Sequence, residues 1–390
     1  MLAIKGGYAT ITLFLLRRPL TFLLAIKGGY ATIHAALSSG TGSSDFKFMQ
    51  KRIDPTVTYS SSSARGSIGE FGLISRITAG VCTREGVITG IGDDAAVTVV
   101  SPGMQLLTST DMLLEDVHFR RAWHDPCRLG RKSLAVNISD IAAMGGIPRW
   151  ALLSLAVPSD ISLDFIDDFT RGFLGMASEF RIDLVGGDTC SSRSGLSISV
   201  TIIGEQRPDR IVRRSGAAPD DDIWVTGTLG DAALALKLVE EGAEGSDFLI
   251  SRLLDPAPRV AAALALTEAG LATAMIDVSD GILADFGHIA EQSGVGGCIR
   301  IGDLPLSPDF HGQTAHLPAI PYQLAFSGGE DYELCFTAHH SNRVKIVECM
   351  KKCGIAVKRI GIVTSCSGVA IVNIDGSRCN AQIEGFDHFT

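Results

Sequence analysis

The chain has 390 residues, 46% hydrophobic and 20% charged, with a formal net charge of −9. That composition describes a globular chain long enough for two domains with real cores, not a disordered one. The acidic balance disfavours nucleic acid as a partner, because gripping a phosphate backbone needs a basic surface. The nine cysteines contain no CxxC, and only Cys349 and Cys353 lie one helical turn apart. Neither a zinc site nor a disulfide framework is indicated, and a reducing cytoplasmic setting is expected.

The first 65 residues read differently from the rest. The decapeptide LAIKGGYATI occupies Leu2 to Ile11 and recurs letter for letter at Leu24 to Ile33. The apolar runs Ile11 to Leu16 and Leu20 to Ile26 are split by Arg17-Arg18-Pro19, and each falls short of the roughly 18 to 20 residues that span a bilayer. No membrane helix is expected, and no small-residue cleavage site supports an export signal. Residues 1–65 read as a disordered extension or a misassigned start, with Met49 as the alternative start and Ser60 to Ser63 as linker.

From Gly66 the pattern is regular. Val87 to Val100 and Met104 to Ser109 read as a strand pair turning at Ser101-Pro102-Gly103. Cys127 to Met144 reads as a helix with Leu129, Leu134, Ile138 and Ile141 on its apolar side, Leu163 to Phe180 as a second helix, and Leu196 to Glu205 as a strand. Polar, proline-bearing Arg207 to Asp222 marks a boundary between domains at 66–206 and 207–390. The second begins with strand Ile223 to Thr226 and a glycine turn opening the helix of GTLGDAALALKL. Helix Arg259 to Gly270, strand Ala274 to Val278 and helix Leu283 to Ser293 come next. Interleaved strands and helices in both halves predict an α/β (α+β) fold.

Six segments place a carboxylate beside glycine or a small hydroxyl residue: GIGDDA (Gly90 to Ala95), TSTDM (Thr108 to Met112), NISD (Asn137 to Asp140), GGDT (Gly186 to Thr189), DVSDG (Asp277 to Gly281) and SGGED (Ser327 to Asp331). Most follow an apolar run, so their acids are expected in turns at the ends of elements, around one cleft. Like charges gathered together need a cation, and oxygen donors without His or Cys select Mg2+, which points to substrate phosphates. A single turn aspartate is better read as a cap or a solvated group; six such segments reverse that reading. GIGDDA also fits the G-x-G-x-x-A dinucleotide fingerprint, but Asp93 and Asp94 occupy the pyrophosphate loop and β-branched residues follow where a helix should start. P-loop, HExxH and GxSxG motifs are absent.

GEFGLISRI (Gly69 to Ile77), GIGDDAAV, TSTDMLLEDVHF (Thr108 to Phe119), KSLAVNISDIAAMGGIP (Lys132 to Pro148), LVGGDT, RRSGAAPDDDIWVTGTLGDAA (Arg213 to Ala233), MIDVSDGILADF (Met275 to Phe286), LAFSGGEDYELCFT (Leu324 to Thr337) and GFDHF (Gly385 to Phe389) together resemble the thiamine-monophosphate kinase family. The resemblance runs in order from about Ser67 to the C-terminus. It implies ATP- and Mg2+-dependent phosphorylation of thiamine monophosphate to thiamine diphosphate. It also implies an aminoimidazole ribonucleotide synthetase-like fold, whose N-terminal domain forms a sheet or barrel at a homodimer interface beside a C-terminal α/β domain.

On the same resemblance, Asp94, Ser109, Thr110, Asp111, Asp140, Asp188, Asp277 and Asp280 are the expected ligands of several Mg2+ ions. Gly187, Asp188, Arg214 and Ser279 are the expected ATP contacts, and His118, Glu330 and Phe386 the expected substrate contacts. A carboxylate and an aromatic face both suit a cationic thiazolium. Asp188 is also read as a cap for the segment after it, and Phe180 as core packing in preference to an adenine contact. Asp116, Cys190 and Asp221 depart from the family pattern, Asp116 and Asp221 at positions where glycine is usual.

Within the superfamily, selenophosphate synthetase and hydrogenase maturation proteins are disfavoured by missing cysteines, and ribonucleotide synthetase by the GEDYEL and GFDHF matches. A calcium module is disfavoured by the dispersed acids. A Mg2+-dependent phosphatase differs by releasing phosphate without an acceptor.

Overall fold

The computed structural model describes residues 3–6, 9–12, 21–26, 29–34 and 69–379, apart from Cys82 and Ile320. The Ser60 to Ser63 linker and Phe386, one of the expected substrate contacts, lie outside the described residues. The chain forms two compact units, Met1–Ser60 and Ser61–Thr390. In the first, β1 (Ala3–Gly6) pairs antiparallel with β2 (Ala9–Thr12), and β3 (Thr21–Ile26) with β4 (Gly29–His34).

The second unit begins with α1 (Glu70–Ile77), β5 (Val87–Thr89), β6 (Val97–Thr98), β7 (Gln105–Leu114), α2 (Pro126–Ala143), β8 (Ile147–Val157), α3 (Leu163–Glu179), β9 (Asp183–Ser191) and β10 (Ser197–Gln206). The expected pairing of Val87–Val100 with Met104–Ser109 does not form. The glycines and aspartates of 90–94 break the first run, so β5 folds back on β6. The longer β7 instead pairs along its whole length with β10, because both alternate: Leu107 and Leu113 meet the core together with Ile198, Val200 and Ile202. β8 was not foreseen. Its second residue is Pro148, which sits beside the register shift at Ile203/Gly204, where a missing N–H is tolerated. The resulting sheet has the order β7-β10-β8-β9, with β8 and β9 parallel.

Both predicted helices form where their caps allow. Asp125 accepts from the Arg128 N–H ahead of Pro126 to start α2, and Ser162 accepts from Phe165 to start α3. They cross closely at two glycines. A Cβ on Gly130 would lie 2.0 Å from the Phe169 carbonyl oxygen, and one on Gly172 would lie 1.9 Å from that of Cys127.

The chain continues through β11 (Asp222–Thr226), α4 (Asp231–Glu240), α5 (Asp247–Leu254), α6 (Val260–Glu268), β12 (Ala274–Asp277), α7 (Ile282–Ser293), β13 (Gly296–Arg300), α8 (Pro308–Thr314), α9 (Tyr322–Phe326), β14 (Leu334–Ala338), α10 (Arg343–Lys352), β15 (Val357–Thr364), β16 (Gly368–Val372) and β17 (Arg378–Cys379). A seven-stranded sheet of order β12-β14-β11-β15-β13-β16-β17 results, antiparallel except for β13 with β16. Alternation along β11 divides two cores. Ile223 and Val225 pack with Phe286 of α7, while Trp224, stacked on Phe336, joins the core that α2, α6 and α10 share with the first sheet. Helix α2 therefore lies between the two sheets.

The left-handed turn expected at Asp221 falls one residue earlier, at Asp220 (φ 72°). Asp221 is buried and accepts from the Ala218 N–H and the Thr273 hydroxyl.

Replacing Gly130 with alanine should cost about 1–3 kcal/mol or more by forcing α2 and α3 apart. Gly175→Ala at a half-buried position of α3, where the nearest atom is 4.0 Å away, should instead stabilise by up to about 1 kcal/mol through helix propensity. Urea denaturation compares the two, and equal midpoints would show that the crossing is not tight.

Candidate active site

A cavity of about 810 Å³ opens where β7, α2 and α4 meet the loops at 277–280 and 328–332. It is lined by Asp111 of β7, Asp140 of α2, Asp277 closing β12, and Asp280. Asp111 and Asp140 thus sit inside regular elements, contrary to the expectation that these acids occupy turns; the elements themselves converge on the cleft.

Asp111, Asp140 and Asp277 are each held from α2 or β7. Ser109 donates to Asp140, Ser139 to Asp277 at 2.7 Å, and the Asp111 N–H to Asn137 Oδ1 at 3.1 Å. Burial, reinforced by the Asp140 and Asp277 charges, pushes the Asp111 carboxyl up to about 7. Burial raises Asp140 too, and burial with the Asp140 charge raises Asp277; Arg214 opposes both shifts, which places its guanidinium within electrostatic reach of the pair. The loop behind them is tied by Asp285, which accepts from the Ser279 and Asp280 N–H groups. Among the described residues no three His, Cys, Asp or Glu side chains already converge as a metal cage. The donor set nevertheless fits a hard divalent cation, since the carboxylates repel one another and are all oxygen.

The cavity is also lined by His118, Glu330, Trp123, His124, Leu236 and Leu324. His118 accepts from the Leu114 N–H at Nδ1 (3.0 Å), so a neutral ring carries its proton on Nε2. Glu330 adopts φ 68°, donates its N–H to the Ser279 carbonyl, and meets the Lys132 ammonium at 2.8 Å. Asp116, at φ 66°, takes the left-handed conformation that glycine would adopt most readily, at the cavity rim and 4.0 Å from Arg120. Arg120 in turn stacks over Trp123.

The structure thus brings together Thr110, Asp111, His118, Asp140, Asp277, Ser279, Asp280 and Glu330, with Ser109 and Arg214 adjoining. Thr110, however, directs its hydroxyl across the sheet to the Val200 carbonyl (3.1 Å). Asp94 lies exposed between β5 and β6, away from this lining. Asp188 is in register with Ser154, Ser199 and Met112, three strand spacings or about 14 Å from β7 and on the sheet face opposite Asp111. It caps no helix, because β9 continues through it to Ser191. Gly187 is required by packing: a Cβ there would lie 1.8 Å from the Leu153 carbonyl oxygen. Phe180 ends α3 and packs against the core.

Residues 92–206 match the family model for the AIR synthase related protein N-terminal domain, and residues 218–373 that for its C-terminal domain. The thiamine-monophosphate kinase of Escherichia coli K12 is 38% identical over 329 residues, covering 82% of this chain and 98% of that one. The crystal structure of thiamine-monophosphate kinase from Stenotrophomonas maltophilia K279a superposes with a TM-score of 0.70 at 39% identity, covering 79% and 96% of the two chains. The chain belongs to the thiamine-monophosphate kinase family. A further structure, described as AaThiL complexed with AMPPCP and TMP, is 34% identical with a TM-score of 0.65, covering 85% of this chain and 100% of that one.

Several site residues escaped the reading of motifs. Lys132, Asn137 and Ser139 look like surface polar positions of a helix, yet Lys132 sits in the same stripe as buried Leu129 and Val136, a spacing that marks it as inward. His124 is buried, and its ring nitrogens have no protein partner. Burial first, then Lys132, lowers its pKa to about 3 and keeps it neutral.

In the kinase family's SGGEDYEL segment the three acids have different partners. Glu330 faces the cavity, whereas Glu333 is buried with Arg259 (2.6 Å), Arg252 (3.0 Å) and the Thr226 hydroxyl (2.7 Å). Burial alone would raise the Glu333 carboxyl, but the two arginines and Thr226 outweigh it and hold the pKa below the ordinary value of 4.5. Asp331, also buried, keeps one oxygen without a partner. Burial pushes it up to about 8 against the Arg252 charge and the Gly230 N–H.

Glu333→Gln should cost about 3–5 kcal/mol at neutral pH by stranding a buried arginine, with the deficit shrinking as the pH falls through the depressed pKa of the parent. Asp331→Asn should do the reverse. Its parent carboxyl loses stability as the pH rises towards 8, so the variant should match or exceed the parent at pH 8. Thermal melts from about pH 3 to 8 decide both, and parallel curves for the two variants would refute the assignment.

Proposed function

We propose that this chain transfers the γ-phosphoryl group of ATP to thiamine monophosphate, giving ADP and thiamine diphosphate. The observation that carries this is a single cavity lined by the crowded carboxylates Asp111, Asp140, Asp277 and Asp280 and by Glu330, which pairs with Lys132. It lies in a chain 34% identical to a structure described with AMPPCP and TMP.

Asp111, Asp140, Asp277 and Asp280, with Ser109, would hold Mg2+; bound there, Mg2+ supplies positive charge that neutralises the phosphate oxygens. Ser139, Ser109 and Asn137 fix the carboxylates in position, so that alignment costs no reorganisation during transfer. Arg214 and Ser279 serve the nucleotide, and His118, Glu330 and Phe386 the thiamine head. A phosphate oxygen of thiamine monophosphate attacks the γ-phosphorus while the bond to the β-phosphate bridging oxygen breaks and ADP departs. The acceptor phosphate has a second pKa near about 6 and is mostly dianionic at neutral pH, so no strong general base is needed.

A homodimer suits the first sheet, whose helices cover one face while Leu106 and Met112 stand exposed on the other. Asp188 shares that open face, so we assign it, with Gly187 and Asp94, to the nucleotide side of a site completed by dimerisation. Neither a membrane nor nucleic acid is expected as partner: no helix among the described residues is long and apolar enough to cross a membrane, and the net charge is −9. The exposed free thiols of Cys190 and Cys366 suit a reducing cytoplasm.

In a coupled assay with ATP, Mg2+ and thiamine monophosphate, Asp111→Asn should lower turnover by about 10²–10³-fold, and chelation of Mg2+ should abolish it in the parent. ADP formation without thiamine diphosphate would defeat the kinase assignment. Met112→Lys should shift the chain from dimer to monomer in light scattering; an unchanged mass would exclude this face.

A further inference from the structure

Lys132 is fully buried on α2, where an ammonium is costly unless every neighbour is well chosen. Its ammonium donates to the Leu253 carbonyl of α5 at 3.0 Å and pairs with Glu330 Oε1 at 2.8 Å. Glu330 itself is 28% exposed in its side chain and lines the cavity. Its left-handed backbone, at φ 68° in a non-glycine residue, is strained and persists only where the surroundings enforce it. The Ser279 carbonyl enforces it from the backbone, and Lys132 from the side chain.

Helical phase adds a second constraint. Lys132 and Asp140 are eight residues apart on one face of α2, about 12 Å along the axis. One rigid helix therefore fixes the distance between the carboxylate cluster and the head-group carboxylate.

We propose that Lys132 is a positioning residue for substrate selection. By holding Glu330 Oε1 from behind, it leaves Oε2 to receive an N–H donor or the cationic ring of a phosphate monoester whose phosphate lies at Asp111 and Asp140. The inference deepens the proposed function and rests on Glu330 as a substrate contact.

The experiment is a double-mutant cycle of Lys132→Met and Glu330→Gln, read as KM for thiamine monophosphate, KM for ATP, kcat and melting temperature. Lys132→Met should raise KM for thiamine monophosphate by about 10-fold, with kcat within about 3-fold and KM for ATP unchanged. The double variant should be no worse than Glu330→Gln alone, because coupled residues are non-additive. Lys132→Gln, which keeps an N–H donor, should show a smaller rise, and it replaces Lys132→Met in the cycle if that variant does not fold. A folded Lys132 variant with parental KM, or one whose effect multiplies with that of Glu330→Gln, overturns the proposal while leaving Glu330 in place. Parental KM in Glu330→Gln overturns the underlying reading of Glu330 and the proposal with it.

Discussion

Helix α2 is buried on nearly every side, and the polar groups it carries inward dictate how the rest of the second unit must assemble. Lys132, Asn137, Ser139 and Asp140 all lie among apolar neighbours, where an unpaired polar atom costs more than a satisfied one gains. Their partners come from different elements: Leu253 of α5, Glu330 beyond α9, Asp277 of β12, and Ser109 and the Asp111 N–H of β7. No single sheet satisfies the helix. Docking both sheets on α2 is the arrangement that satisfies these groups, and it is also the arrangement that forms the cavity.

The same reasoning separates two kinds of buried acid. Asp222 and Glu333 each face two arginines, which overcome the burial penalty and hold their pKa values down. Asp111, Asp140 and Asp277 are raised by burial, with Arg214 alone opposing it at Asp140 and Asp277 among charged groups. A chain that supplies paired arginines to its structural acids leaves these three short of positive charge. Burial raises Asp285 and Asp331 as well, so what sets Asp111, Asp140 and Asp277 apart is that the three raised acids line one cavity together.

Much of this was legible in the sequence. Helices α2 and α3, strand β10 and the elements from β11 through α7 other than α5 follow from periodicity, and the acids announced themselves by their glycine and hydroxyl neighbours. Periodicity does not say which strand a strand pairs with, and the proposed partner of Met104–Ser109 was wrong because a nearby turn looked sufficient. The distinct partners of Glu330, Asp331 and Glu333 were hidden for a related reason. Within four residues one acid faces the cavity, one is left partly unpaired and one is clamped by arginines, and the difference lies in groups far away in the chain. Lys132 was missed because lysine is read by habit as a surface residue, although its helical phase placed it inside.

The register of β7 on β10 ties the site to the core. Residues Leu107, Ser109, Asp111 and Leu113 share one face of the strand, so the alternation that buries two leucines also turns the hydroxyl and the carboxylate towards α2. A slip of one residue would present Thr108, Thr110 and Met112 to the helix and expose both leucines, losing apolar burial and the acid together. Selection for a stable core therefore maintains the position of Asp111 without any separate device. It also accounts for the split of the Ser-Thr-Asp triplet: Ser109 and Asp111 face α2, while Thr110 bonds across to Val200 on the face it shares with Met112 and Asp188.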